Sequence, residues 1–105
     1  MQKFSDVLLG LDNAEDVKRI ELFHPDGSNA GIIENKPGSQ GSIKVYNHLY
    51  KMFGDITLDA AVEGLALYAE HTEDAENCPG KHPNVDRLLN VLEDEQPLSM
   101  KIINN

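Results

Sequence analysis

Apolar residues at the start of the chain first follow a helical spacing and then alternate with polar ones. The helical spacing predicts a first helix over about residues 2–11, with a face formed by Phe4, Val7, Leu8 and Leu11. The alternation over residues 18–23 predicts a strand. The next four residues, His24-Pro25-Asp26-Gly27, have the order of a type I turn, so residues 30–34 are expected to return as a second strand of a hairpin.

The middle of the chain changes to helical periodicity. Ser42 is placed to cap a helix that continues to Phe53 and ends at Gly54. Thr57 resembles a second N-cap, and the stripe that follows it predicts one long helix reaching Asn77.

The last quarter of the chain predicts one more helix and one more strand. Pro83 is favourable at a first helical position, and a helical stripe follows it to Leu92. Residues 98–103 alternate again after Pro97. The predicted fold is therefore α+β: a small three-stranded, mostly antiparallel sheet, made of the N-terminal hairpin and a C-terminal strand, packed against about four helices.

Size and composition predict the number of domains and the cellular compartment. The 105 residues suit one domain spanning 1–105, with 40% apolar and 26% charged residues. No apolar run spans a bilayer, and Met1 to Asp6 lack the features of a secretory signal. Cys78 is the one cysteine, so no internal disulfide forms. These observations predict a cytoplasmic protein without membrane association.

The acidic balance limits the partners. Eighteen acidic residues against nine basic ones give a net charge of −9, which argues against nucleic-acid binding. Residues 53–105 hold eleven of the acids and only Lys81, Arg87 and Lys101. A protein or a small anionic ligand is the expected partner, and an electropositive contact must come from the first half of the chain.

Three segments resemble a known family. They are residues 34–42 (Glu-Asn-Lys-Pro-Gly-Ser-Gln-Gly-Ser), residues 69–71 (Ala-Glu-His) and residues 79–84 (Pro-Gly-Lys-His-Pro-Asn). Together they resemble a bacterial family of about this length that is catalogued as a domain of unknown function. The resemblance implies a bacterial source and carries no activity, ligand or catalytic residue.

A glycine-rich segment between a predicted strand and a predicted helix is the sharpest local feature. Glycines let backbone N–H groups approach an anion, and hydroxyls, lysines and a helix N-terminus add donors. The candidate anion-binding residues are Lys36, Gly38, Ser39, Gln40, Gly41, Ser42 and Lys44. The segment matches neither the phosphate-binding loop nor the dinucleotide fingerprint, so no cofactor is expected. The favoured interpretation is nevertheless a connector in which Ser42 only caps a helix, because capping needs a single hydroxyl.

Two weaker candidates lie between residues 70 and 82. Residues 70–76 place carboxylates on what is predicted to be the end of a helix, where the helix dipole disfavours them. His71, Cys78 and His82, with Asp74, have side chains that can ligate zinc. Their spacing matches no established zinc site, so the prediction is that no metal is bound.

Three function classes remain open. His24 and His48 are possible general bases without an identifiable partner, and Tyr46 and Tyr50 are expected to be core aromatics with wet hydroxyls. Because no catalytic pair is visible, a non-enzymatic binding or regulatory module is favoured. A small enzyme acting on an anionic substrate through residues 36–44, or a structural protein covered by a second copy, are the alternatives.

Overall fold

A computed structural model describes residues 3–105 of the chain. Five helices and three strands occur in the described part. In chain order they are α1 (Phe4–Leu9), β1 (Val17–Phe23), β2 (Asn29–Glu34), α2 (Gln40–Phe53), α3 (Leu58–Leu67), α4 (Glu70–Asn77), α5 (Pro83–Asp94) and β3 (Ser99–Asn104).

The three strands form an antiparallel sheet in the order β2-β1-β3, which confirms the α+β prediction. Ile20 of the central strand pairs with Ile33 on one side and with Ile102 on the other. The predicted turn joins β1 to β2, and the backbone N–H of Gly27 donates to the carbonyl of His24 at 2.9 Å. A further bridge, from Leu98 to Ile56, extends the sheet beside β3.

The helices cover one face of the sheet, and the core lies between the two layers. Helix α2 contacts β1 and β2, α3 contacts α2 and α5, and α4 contacts α5. Burying each large apolar side chain contributes about 1.5–3 kcal/mol. The largest fully buried side chains are Tyr46, Ile20, Leu22, Ile43, Leu49, Ile56, Leu88, Val45 and Val85.

Helix α1 is shorter than the prediction of residues 2–11. It begins at Phe4 and ends at Leu9, while residue 2 lies outside the described part of the chain. The backbone turns after Gly10, and the side-chain oxygen of Asn13 accepts from the N–H of Glu15 at 2.6 Å. This local bond stabilises a turn instead of a further helical turn, so Leu11 packs on the core from a loop.

Helix α2 begins before the predicted cap. Its first residue is Gln40 and its N-cap residue is Ser39, so the prediction that Ser42 caps the helix is wrong. The Ser39 hydroxyl donates to the carbonyl of Glu34 at 2.6 Å and thereby closes the turn after β2. The helix ends at Gly54 as predicted, in a conformation with φ of 84°.

The long helix predicted from Thr57 to Asn77 is two helices. Thr57 caps the first as expected, since its hydroxyl oxygen accepts from the N–H of Ala60 at 3.0 Å. The chain breaks at Ala69, whose φ of 53° and ψ of −121° lie in a sparsely populated region. Such a conformation costs on the order of 1–3 kcal/mol. The hydroxyl of Thr72 partly offsets this cost by donating to the carbonyl of Leu65, at the end of α3, at 2.5 Å.

The last helix and strand agree with the prediction. Pro83 is the first residue of α5, where its missing N–H leaves no donor unsatisfied. Helix α5 stops at Glu95, which has a left-handed conformation. Within residues 3–105, no helix is both long enough and apolar enough to cross a membrane.

Candidate functional site

The glycine-rich segment connects the end of β2 to the first turns of α2. Gly38 has φ of 96°, a conformation that glycine adopts without strain, and the Cβ of a substitute would meet no neighbour. Lys36 and Gln40 are exposed, whereas Ser39 is half-buried and bonded to Glu34. The outer part of the segment is therefore open to solvent, as an anion loop requires.

The inner part of the segment is engaged in packing. A Cβ on Gly41 would lie 3.0 Å from Cε2 of Phe4, so glycine allows α1 to approach α2 closely. The hydroxyl of Ser42 accepts from the hydroxyl of Tyr68 at 2.7 Å. Nζ of Lys44 donates to the carbonyl of Leu8 at 2.8 Å and so caps the end of α1.

A groove of about 850 Å³ lies beside this segment. We call it the amide groove, because four amide side chains, those of Asn13, Asn35, Gln40 and Asn105, contribute to its wall. Of the predicted anion-binding residues, only Gln40 and Lys44 line it. The full lining is Leu11, Asn13, Ala14, Glu15, Val17, Lys18, Glu34, Asn35, Gln40, Ile43, Lys44 and Asn105.

Internal hydrogen bonds fix the wall of the amide groove. Nδ2 of Asn35 donates to the carbonyl of Val17 at 2.7 Å and to that of Ala14 at 3.3 Å, which ties the loop before β1 to the loop after β2. Nζ of Lys44 is held by Leu8, yet an ammonium group has three donors, so two are left for a ligand. The polar wall of the groove is thus preorganised by these hydrogen bonds.

The lining of the amide groove combines amide side chains with charged ones. Its charged lining residues are two lysines, Lys18 and Lys44, and two glutamates, Glu15 and Glu34. The lining contains no histidine, cysteine, serine, threonine or tyrosine, so its ionisable side chains among the described residues are two lysines and two glutamates. Its amides and lysines supply donors for the oxygens of a small ligand.

The predicted zinc-ligating residues come together only in part. The rings of His71 and His82 have centroids 5.0 Å apart, and Nε2 of His82 lies 2.6 Å from Oδ2 of Asp74. Cys78 is exposed just beyond the end of α4. Within residues 3–105 no group of three or more of the side chains that bind metals is arranged to hold an ion.

Asp74 is the centre of a small charged cluster. It accepts from His82 and forms an ion pair with Nζ of Lys81 at 3.0 Å. The hydrogen bond from His82, followed by that from Lys81, lowers the pKa of the Asp74 carboxyl. The hydrogen bond to Asp74 raises the pKa of Lys81 in turn.

The acidic segment 70–76 is placed differently from the prediction. Because the chain breaks at Ala69, Glu70 and Glu73 lie in the first turn of α4, where the helix dipole favours carboxylates. The expectation that the dipole disfavours carboxylates is wrong for these two residues, whereas Asp74 and Glu76 lie in the last turn of α4, where it holds. Oε1 of Glu70 also accepts from the N–H of Phe4 at 2.7 Å, and this bond lowers the pKa of Glu70.

Sequence reasoning missed a polar cluster inside the fold. Tyr46 is fully buried, so the predicted wet hydroxyl is wrong: the hydroxyl donates to the carbonyl of Asn84 at 2.6 Å. Nη1 of Arg87 donates to the same hydroxyl at 3.1 Å and to Oδ1 of Asn84 at 2.9 Å. Gly31 within a strand was the available signal, because glycine in a strand often marks a close approach of another group.

The two remaining histidines lie apart from these clusters. His24 is exposed at the hairpin turn, and His48 is half-buried on α2. In the part of the chain that the structure describes, neither imidazole makes a hydrogen bond. Tyr50 is 41% exposed, so of the two tyrosines on α2 only Tyr46 is a core aromatic.

The fold and its clefts define a small α+β domain with a polar surface groove. The chain belongs to a family described as an uncharacterised protein conserved in bacteria (DUF2322), whose model matches residues 4–102. The family resemblance predicted from the sequence is thereby confirmed. No curated protein and no solved structure matches the chain.

Proposed function

We propose that this protein is a non-enzymatic binding or regulatory module of the bacterial cytosol, and that the amide groove holds a small anionic ligand. The observation that carries the proposal is the lining of the groove, which combines four amide side chains with Lys18 and Lys44 and contains no serine, threonine, cysteine, histidine or tyrosine among the described residues. A ligand bearing phosphate or carboxylate oxygens matches these donors.

Size and position support the same conclusion. A volume of about 850 Å³ is in the range of small-molecule sites. The groove touches the N-terminal turns of α2, where backbone N–H groups and the helix dipole favour an anion. Glu15 and Glu34 oppose a highly charged anion, so the proposed ligand carries one or two negative charges.

The proposal is tested by following backbone amide shifts while the protein is titrated with inorganic phosphate and then with adenosine monophosphate. The largest shifts are expected at Asn35, Gln40 and Lys44. The Lys18→Gln variant removes one cation from the groove wall and is expected to bind the ligand more weakly than the parent protein. The difference in affinity between variant and parent is expected to be smaller at high salt.

The matched control is Lys101→Gln, which removes a lysine from β3, outside the groove lining. It is expected to leave the titration unchanged. Largest shifts outside the groove, or equal effects of the two variants, would contradict the proposed site.

The alternative is an enzyme acting on an anionic substrate through residues 36–44. It is favoured by the exposure of Lys36 and Gln40 and by two carboxylates in the neighbouring groove. Hydrolysis of p-nitrophenyl phosphate or p-nitrophenyl acetate above the buffer rate, lost in a Glu34→Gln variant, would support this alternative and contradict a pure binding role.

The cytosolic placement rests on cysteine usage. Cys78 is the one cysteine of the chain and is exposed, and a chain with one cysteine has no internal disulfide to gain in an oxidising compartment. Fractionation of bacterial cells expressing the chain with a C-terminal tag tests the placement. Recovery in the periplasmic fraction would contradict it.

A further inference from the structure

A second cavity, of about 350 Å³, lies between the hairpin turn and helix α5. We call it the α5 cavity. It is separate from the amide groove, and the two have no lining residue in common. Its lining is His24, Ala30, Pro83, Asp86, Arg87, Asn90, Val91, Asp94, Gln96 and Leu98.

Arg87 is held rigidly in the wall of this cavity. Its Nη1 donates to Tyr46 and Asn84, and its Nε donates to the carbonyl of Ala30 at 3.3 Å. The guanidinium also lies against the backbone of Gly31, where a Cβ would be 2.4 Å from Nη2. A guanidinium fixed in this way loses little conformational entropy when it binds a ligand.

The fixed guanidinium still has an unused donor group. Within residues 3–105, no hydrogen bond uses Nη2, and no carboxylate lies within ion-pair distance of Arg87. The side chain is half-buried, so it is also only partly solvated. A half-buried arginine without a carboxylate partner is suited to binding a carboxylate from a ligand.

The other charges of the cavity argue against a simple anion. Asp86 and Asp94 lie on the same side of α5 as Asn90, at spacings of four residues, and both line the cavity. With one guanidinium and two carboxylates, and His24 neutral, the wall has a formal charge of −1. A ligand that matches it has one carboxylate and two cationic groups.

From this arrangement we propose that the α5 cavity binds a basic amino acid, with its carboxylate on Arg87 and its distal ammonium on Asp94. Asp94 follows Arg87 by seven residues, which places it roughly 10 Å further along the helix axis. An extended lysine, with a hydrogen bond at each end, spans a gap of about this length. Asn90 lies between the two and offers an amide to the ligand.

The test is a titration of the ¹⁵N-labelled protein with L-lysine, with 1,5-diaminopentane and with acetate as separate probes. L-lysine is expected to give saturable shifts at the Nε–H of Arg87 and at the amides of Asn90, Asp94 and Gln96. The diamine lacks the carboxylate and acetate lacks the ammonium groups, so each is expected to bind at least about tenfold more weakly, the effect of one charged hydrogen bond.

Two variants distinguish binding of L-lysine in the α5 cavity from its binding to the surrounding acidic surface. Asp94→Asn is expected to weaken L-lysine binding at least about tenfold. Glu93→Gln removes a neighbouring exposed acid outside the cavity lining and is expected to change binding less than about twofold. Both positions are exposed, so both variants are expected to fold.

The proposal is overturned if L-lysine gives no saturable shifts, if either single-function probe binds as tightly, or if the two variants behave alike. None of these results bears on the amide groove, whose ligand is tested with phosphate at different amides.

Discussion

Gly31 and Arg87 lie in direct contact, and a Cβ at position 31 would be 2.4 Å from Nη2 of the arginine. Gly31 also has φ of 140°, a conformation that side-chain-bearing residues rarely adopt. Two independent requirements therefore select glycine at this position of β2, one from the backbone and one from the packing of α5.

The Gly31→Ala variant is expected to lower the free energy of unfolding by about 1–3 kcal/mol because it introduces backbone strain, with a further loss from displacing Arg87. Urea denaturation measures the change. Gly10→Ala is the control: its φ of −89° is ordinary, and its Cβ would meet only the carbonyl of Val7 at 3.6 Å. A loss of stability in the control as large as that in Gly31→Ala would contradict the explanation.

The bond between Ser42 and Tyr68 gives a second prediction, in which removing the acceptor costs more than removing the donor. Tyr68 is 3% exposed, so Ser42→Ala leaves a buried hydroxyl without its acceptor and is expected to cost about 1–3 kcal/mol. Tyr68→Phe removes the hydroxyl itself and leaves the half-buried Ser42 able to meet water, so it is expected to cost less. Denaturation of both variants measures the two losses in free energy of unfolding. A loss in Tyr68→Phe that equals or exceeds the loss in Ser42→Ala would contradict the prediction.

Alkaline pH is expected to unfold the protein through its buried tyrosines. Burial is the main cause that raises the pKa of Tyr46 and of Tyr68 above the ordinary value of 10.0. A raised pKa in the folded state means that the unfolded chain releases these protons first. The stability contribution is therefore complete below about pH 10 and is lost as the pH rises above it.

The measurement is urea denaturation at several pH values between 8 and 11.5. The Tyr68→Phe variant is expected to lose less stability over this interval than the parent protein, because one buried titrating hydroxyl is gone. Tyr50→Phe is the control: Tyr50 is 41% exposed, so this variant is expected to lose as much as the parent. The explanation fails if the two variants show the same dependence on pH.

The sheet and four helix ends, those at Gly54, Thr57, Asn77 and Pro83, could be predicted because their causes are local. The alternation in β1, the turn at His24–Gly27 and the proline that opens α5 each act over a few residues. The break at Ala69 has no such local signal. The helical stripe continues across it from Leu65 to Thr72. The residues on either side of the break, Tyr68 and Glu70, bond to Ser42 and Phe4, which are far away in sequence.

The candidate sites were harder to predict because a side chain's role depends on what reaches it from elsewhere. Ser42 and Lys44 have side chains that can donate hydrogen bonds to a ligand. In the fold, their hydrogen-bond partners are Tyr68 and Leu8. The anion-binding role of residues 36–44 stays a prediction. The sequence shows Arg87 only as one of the basic residues, because nothing near it in sequence indicates that Tyr46 and Gly31 surround it.

The pairing of the central strand has a consequence for the newly made chain. Strand β1 meets β2 at once, but its other edge pairs with β3, so Ile20 meets Ile102 only after all the helices from α2 to α5 have been synthesised. Until then a strand carrying Ile20 and Leu22 has an open hydrogen-bonding edge, the feature that drives aggregation between chains. The nascent hairpin is therefore expected to be prone to pairing with another chain until β3 emerges from the ribosome.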